Sequence, residues 1–272
     1  MQENRLNKQK FKRDLPLISI ITVSLNSQDT IRTTIESVLG QNYKNIEYII
    51  VDGGSTDGTL KIIDKYKYKI KKIISEPDQG VFDAMNKGIE IATGDIIGIL
   101  NSDDLYIGKN TIEIIIEKIE KTQASICWGD LVYIGKNNLD KIIRYWKSSS
   151  YKEGRFQDGW MPPHPTFFVR KEVYKKYGVF NLNFPISADY ELMLRFLEKH
   201  KVSSCYIERV LVKMRIGGQS NKSFLNLIKG NFECYQSWKI NGLKINPLKI
   251  FLKPLRKVSQ YFFKKDSIKY YK

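Results

Sequence analysis

The chain has 272 residues, 42% hydrophobic and 12% aromatic, and a formal net charge of +16. That length and composition suit one large α/β domain or two small ones and exclude a chain disordered throughout. Three widely spaced cysteines (Cys127, Cys205, Cys234) and no CxxC pair exclude a disulfide scaffold and a structural zinc site.

Residues 1–14 read as a basic arm with no apolar segment of the signal-peptide kind, which predicts a cytosolic protein or one attached to a membrane from the cytosolic side. Leu17–Leu25 is a β-branched apolar run and reads as a buried strand. Asp29/Thr30 can cap a helix that runs to Leu39, where Gly40 closes it. Strand Ile46–Val51 ends in the turn residues Asp52 to Gly58. Helix Thr59–Tyr66 and strand Ile70–Ser75 follow, then a break at Glu76 to Gly80. A helix carrying Val81, Met85, Ile89 and Ala92 leads to strand Asp95–Leu100, which runs into Asn101-Ser102-Asp103-Asp104. Strand and helix alternating in this way predict βαβ crossovers and a mainly parallel sheet with helices on both faces. Ligands in such sheets bind beyond the carboxyl ends of the strands. Asp52, Glu76/Asp78 and Asp103/Asp104 all fall there.

The second half changes character. Helix Thr111–Lys121, strand Ser125–Ile134 and a pairing strand Lys141–Trp146 precede a long Ser/Gly/Pro-rich loop over 147–165. Strand Thr166–Val169, a short helix near Lys171–Tyr177, helix Ala188–Lys199 and strand Cys205–Met214 complete the pattern. The charge is uneven. Residues 1–13 hold five basic groups and one acid, and 239–272 hold ten and one, leaving 30 basic against 27 acidic groups between them.

Neighbouring carboxylates after a strand, as in Asn101-Ser102-Asp103-Asp104, form a hard-oxygen set suited to Mg²⁺ or Mn²⁺ beside a phosphate. The plainer alternative is that they cap a turn. No GxxxxGK[ST] occurs, and GGSTDG lacks both the lysine and the GxGxxG spacing, so a P-loop NTPase or a dinucleotide oxidoreductase is disfavoured.

The stretch ISIITVSLNSQDTIRTTIESVLGQNYKNIEYIIVDGGSTDGT resembles the opening of family 2 glycosyltransferases of the GT-A fold. SEPDQGVFDAMNKGIEIATGDIIGILNSDD is similar to a bacterial subgroup that builds O-antigen, capsule and other surface polysaccharides. The similarity continues through Trp128-Gly129-Asp130, PPHPTFF, SADYELMLR and RIGGQS, covering roughly residues 16–220. It implies a GT-A domain over 15–220, with a nucleotide-binding half to about 105 and an acceptor half beyond it, followed by a basic helical extension over 221–272. It also implies a hexosyl- or N-acetylhexosaminyltransferase that is metal-dependent (Mn²⁺ or Mg²⁺) and inverting. The donor would be a UDP-sugar and the acceptor a lipid-linked saccharide.

Carried over by motif, the resemblance gives Asp52 a hydrogen bond from the nucleotide base, with Thr22 to Asn26 as the floor beside it. Asp78 lies along the nucleoside, and Ser102 belongs to the acidic loop. Asp103, joined by Asp104, holds the cation. Asn86 supports that loop, while Lys87 beside it reads as solvated. His164 lies near the diphosphate or the acceptor. Asp189 is the general base. Two positions depart from the family pattern. Asn101 replaces the first acid of the DXD-like motif, and Ala188 precedes Asp189 where an acid is common, leaving Glu191 as a rival base. On a helix those two point to different faces.

Three readings stay beside the enzyme. One is a nucleotide-sugar-binding homologue without catalysis, and another is a basic nucleic-acid-binding protein, although the body of the chain is nearly neutral. The third concerns the tail. Leu248, Phe251, Leu252, Leu255, Val258 and Phe262 recur at helical spacing among lysines. Residues 239–272 thus read either as a peripheral anchor on an anionic membrane or as a helix packed on the catalytic domain.

Overall fold

A computed structural model describes residues 15–136, 138–217 and 224–246. The first half runs β1 (Ile18–Ser24), α1 (Ile31–Leu39), β2 (Ile46–Asp52), α2 (Thr59–Asp64), β3 (Lys72–Ser75), α3 (Val81–Ile91) and β4 (Ile96–Ile99). Next come β5 (Leu105–Tyr106), α4 (Thr111–Thr122), β6 (Ile126–Ile134), β7 (Ile142–Trp146), β8 (Phe168–Arg170) and α5 (Lys171–Tyr177). The series ends with α6 (Ala188–Leu194), β9 (Ser204–Arg215) and α7 (Phe224–Ile240). The strands make one nine-stranded sheet ordered β3-β2-β1-β4-β8-β6-β9-β5, with β7 added on β6. Pairing is parallel from β3 to β4 and between β6 and β9. Where β8 joins β4 and β6, and where β5 and β7 attach, it is antiparallel. The sheet is therefore mixed, with its parallel part on the side the βαβ pattern predicted.

Helices cover both faces, which is why β1 and β2 are continuous apolar runs rather than alternating ones. Ile18, Ile20, Tyr48 and Ile50 face α1 and α4 through Ile31, Ile35, Ile112 and Ile115. Residues of opposite parity, Ile21, Val23, Ile49 and Val51, share the other core with Met85 and Ile89 of α3 and with residues of α6 and α7. Trp238 of α7 is 1% exposed in that core. The expected boundary at 220 is thereby corrected, since α7 is part of the globular body. Its sequence explains this. Residues 224–238 carry one lysine and one glutamate, and the basic excess begins only at Lys239. The arm 1–14 and the apolar positions of the tail from Leu248 onward lie outside the described residues. Among the described residues no helix is long and apolar enough to cross a membrane.

At the far edge of the sheet from the acidic loops, Glu47 is buried. It accepts hydrogen bonds from the Ser19 hydroxyl (2.5 Å), the Thr93 N–H (2.7 Å) and the Thr93 hydroxyl (2.8 Å). Burial alone would raise its pKa, but these donors and Lys72 outweigh it and hold the carboxyl below its ordinary range. A depressed carboxylate contributes stability that is present above the unfolded value and lost as pH falls through the folded one. Glu47→Gln is expected to destabilise by about 1–3 kcal/mol at neutral pH. In urea unfolding the gap to wild type should close on acidification, and a gap independent of pH would remove the charge from the explanation.

Candidate active site

At the carboxyl end of β1 the chain turns through Asn26, whose φ of +48° is left-handed, a conformation asparagine tolerates well. Its N–H donates to the Ser55 hydroxyl (2.8 Å) and its side-chain oxygen accepts from the Thr56 N–H (2.9 Å), so the first loop is fastened to the second. Asp52 is fully buried. One carboxylate oxygen accepts from the hydroxyls of Ser24 (3.0 Å) and Ser55 (2.6 Å). The other accepts from the N–H groups of Gly54 (3.1 Å) and Ser55 (2.8 Å) and from the Ser75 hydroxyl (3.0 Å). Asp52 thus welds the ends of three strands and shapes the Gly53–Ser55 loop, with both oxygens already engaged. Thr22 is corrected more sharply. It is fully buried inside the sheet and its hydroxyl accepts from the Tyr48 phenol (3.1 Å).

Asp78 sits against Gly53, where a Cβ would stand 2.4 Å from its Oδ2. The missing side chain of Gly53 is what leaves room for that carboxylate. Lys87 is partly exposed, and its ammonium lies 2.8 Å from Glu76 and donates to the Pro77 carbonyl (3.1 Å), pinning the Asp78 loop to α3. Asn86 does not support the acidic loop. Its amide donates to the Phe180 carbonyl and accepts from the Phe180 N–H, both at 2.9 Å, so its polar atoms clasp α3 to the chain after α5.

The acidic loop follows β4. Ser102 and Ser27 share a hydrogen bond of 2.7 Å, and the Thr34 hydroxyl contacts the carbonyls of Ser102 (2.9 Å) and Asp104 (2.7 Å). Arg215, buried at the end of β9, donates to the Asp103 carbonyl (2.5 Å) and to the Thr33 hydroxyl (2.8 Å). Asp104 is fully buried, and both of its carboxylate oxygens lack a hydrogen-bond partner, as does Asn101 Oδ1. Burial first, and then the neighbouring Asp103 charge, push the Asp104 carboxyl well above its ordinary range against the pull of Arg215. Asp103, only partly buried, is also pushed up by burial, with Arg215 and His164 opposing.

Among the described residues no group of three or more His, Cys, Asp or Glu is placed to hold a metal ion. The oxygens of Asn101, Asp103 and Asp104, three of them buried without a hydrogen-bond partner, still fit a hard cation that takes the rest of its shell from phosphate and water. Within that set Asp103 is the carboxylate open to a ligand. Asp104, expected to join Asp103 on the cation, has no exposed surface.

Across from this loop, Asp189 lies in the first turn of α6 with 22% of its side chain exposed. Its Oδ1 accepts from the Tyr190 N–H (2.8 Å), and its Oδ2 lies 3.6 Å from His164 Nδ1. Burial lowers the His164 pKa, while the charges of Asp189 and Asp103 both act to raise it. Glu191, the rival base, is 1% exposed. It is held by Arg195 (2.9 and 3.0 Å) and by the Asn241 amide (3.0 Å). Its carboxylate is committed to structure. Trp128 is core, with Trp160 packed edge-on against it at 6.0 Å.

Residues 19–178 match the family model described as glycosyl transferase family 2. The chain belongs to this family. An uncharacterized glycosyltransferase of Mycobacterium tuberculosis is 33% identical over 186 residues, covering 66% of this chain and 68% of that one. A Mycobacterium bovis protein named PGL/p-HBAD biosynthesis glycosyltransferase is 28% identical over 218 residues, 76% of this chain and 80% of its own. Among solved structures, Staphylococcus aureus TarS 1-349 in complex with UDP-GlcNAc aligns with a TM-score of 0.62 at 14% identity, covering 90% of this chain and 72% of that one. A Pyrobaculum calidifontis mannosyltransferase in complex with GDP-Man and Mn²⁺ gives 0.59 at 16% identity, covering 90% and 69%. These two likenesses establish the GT-A fold, and the protein is a glycosyltransferase.

Proposed function

We propose that this enzyme transfers a hexose or N-acetylhexosamine from a UDP-sugar to a lipid-linked saccharide, with inversion, in surface polysaccharide assembly of the O-antigen or capsule kind. The observation that carries the reading is His164, whose Nδ1 lies 3.6 Å from the part-exposed Asp189 carboxylate and whose imidazole feels the charge of Asp103 in the acidic loop. Asp78, Asn26 and the loop held by Asp52 form the nucleoside side, and Ser102 steadies the acidic loop. Asp103 is the residue that would hold Mn²⁺ or Mg²⁺, with Asn101 beside it. The cation, when bound, supplies Lewis-acid stabilisation of the departing diphosphate. Asp189 accepts the proton of the acceptor hydroxyl as that oxygen bonds to the anomeric carbon. The bond from that carbon to the β-phosphate oxygen breaks with its electron pair on the diphosphate. A single base opposite the leaving group gives inversion, so an α-linked donor yields a β-glycoside. His164, beside Asp189, orients the carboxylate.

A membrane-side acceptor is supported by α7, where Ile228 (50% exposed) and Phe232 (55%) stand one turn apart, with Lys229 next to Ile228 in the chain. Replacing both apolar residues by serine should weaken flotation with phosphatidylglycerol vesicles, and unchanged flotation would defeat this part. The central experiment is release of nucleoside diphosphate from a panel of UDP-sugars and GDP-mannose, with Mn²⁺, Mg²⁺ or EDTA. Metal-dependent UDP release from one sugar is expected. Turnover indifferent to EDTA would overturn the cation, and turnover of GDP-mannose alone would overturn the UDP assignment.

A further inference from the structure

The family match ends at 178, yet Asp189 is gripped from still further along the chain. Glu233 of α7 is buried, and its Oε2 accepts from the N–H groups of Ile186 (3.0 Å) and Ser187 (2.8 Å), the two residues that lead into α6. The Ser187 hydroxyl donates back to the Gly230 carbonyl (3.1 Å). Beyond Asp189, the Trp238 indole donates to the Tyr190 phenol (2.9 Å), and Asn241 donates to Glu191 (3.0 Å). Ile186 and Ser187 ahead of Ala188, and Tyr190 and Glu191 just after Asp189, are therefore all hydrogen-bonded to α7 or to the turn just after it.

Helix-leading N–H groups need an acceptor when buried; the N-cap residue Ser187 makes no side-chain cap bond, and the acceptor for the Ile186 and Ser187 N–H groups comes from α7. We infer that Glu233 is a positioning residue for the base, setting where the first turn of α6 presents Asp189 to His164 and the acceptor. The helix α7 thus completes the active site from outside the matched family region. A carboxylate fits the task better than an apolar contact. One oxygen serves both N–H groups, and the angle between them fixes the entry of the chain into α6. Gly230 permits the approach, since a Cβ there would lie 3.2 Å from Ile186 Cγ2.

The inference rests on Asp189 being the base, and the test separates the two. Turnover is read as nucleoside diphosphate release from the panel sugar that is consumed fastest. Glu233→Asp withdraws the carboxylate by one methylene while keeping its charge. It is expected to lower kcat by about 10- to 100-fold, with the donor KM unchanged, as misplacement of a catalytic group does. Glu233→Gln retains an oxygen that can accept both N–H groups and should recover most of that loss. In an Asp189→Asn background, Glu233→Asp should have no further effect. Wild-type kcat in Glu233→Asp, or an equal further loss in the Asp189→Asn background, overturns the positioning role while leaving the base in place. Wild-type turnover in Asp189→Asn alone overturns the base, and the positioning role with it. Should Glu233→Asp not fold, Trp238→Phe loosens the other side of the grip and is expected to show the same split, a lowered kcat at constant KM. An unchanged kcat there also counts against the inference.

Discussion

Asp189→Asn is expected to lower sugar transfer by about 10²–10⁴-fold, the contribution typical of a positioned general base. The substitution preserves shape and can keep the hydrogen bond from the Tyr190 N–H, so α6 should stay where it is. What it removes is the capacity to take a proton. In the proposed reading, donor binding falls to other elements, namely Asn26, the Gly53–Ser55 loop, Asp78 and the acidic loop. Calorimetric affinity for UDP with Mn²⁺ should therefore change by no more than about twofold, the pattern of a group that acts only in the transition state. Glu191→Gln gives the contrast. Its carboxylate is bound to Arg195 and Asn241, so that change should lower the melting temperature more than it lowers kcat per folded molecule. Wild-type-like turnover in Asp189→Asn would remove Asp189 from the mechanism.

The motifs in the sequence identified the loops but not the direction of every side chain. The strands and helices of the first half were readable because both sheet faces are covered, which leaves long β-branched runs separated by turn residues. The sequence motifs place the acidic loop after β4 and Asp189 in the first turn of α6, which is where the structure has them. Thr22 and Asn86 were misread for one shared reason. A polar residue inside a motif can be spent on the protein itself, Thr22 on Tyr48 and Asn86 on Phe180. Parity along β1 does carry a hint for Thr22, since it falls on the same face as Ile18 and Ile20. Lys87 and Arg215 act through contacts 10 and 112 residues away, to Pro77 and Asp103, and pattern within one segment does not reach that far. The two-residue strand β5 was too short to leave a periodicity. Glu233 was obscured by the tail's overall charge, although an acid among α7's apolar positions was the available sign. The same charge drew the domain boundary too early. The excess belongs to the chain from Lys239 onward, not to the helix before it.

Arg215→Met should be the most damaging change for the fold around the acidic loop. The guanidinium sits near two carboxylates, Asp103 and Asp104, and burial disfavours its charge while they favour it. Removing it leaves Asp104 buried with no opposing charge, and breaking one partner of a buried pair typically costs about 3–5 kcal/mol. It also deletes the hydrogen bonds to the Asp103 carbonyl and the Thr33 hydroxyl, which hold the loop against α1. Turnover should fall with stability, since Asp103 is the residue assigned to the diphosphate side. Arg215→Lys is not expected to rescue. A single ammonium lacks the planar fork that reaches both acceptors at once. The pH dependence has a definite sign. A carboxyl whose folded pKa is raised gives stability that is present at low pH and lost as pH rises through the folded value. Taking away the cation that opposes this rise should make the variant's deficit largest near neutrality and smaller on acidification, as urea unfolding at several pH values will read. A deficit of the same size at every pH would assign the role of Arg215 to packing and the two hydrogen bonds.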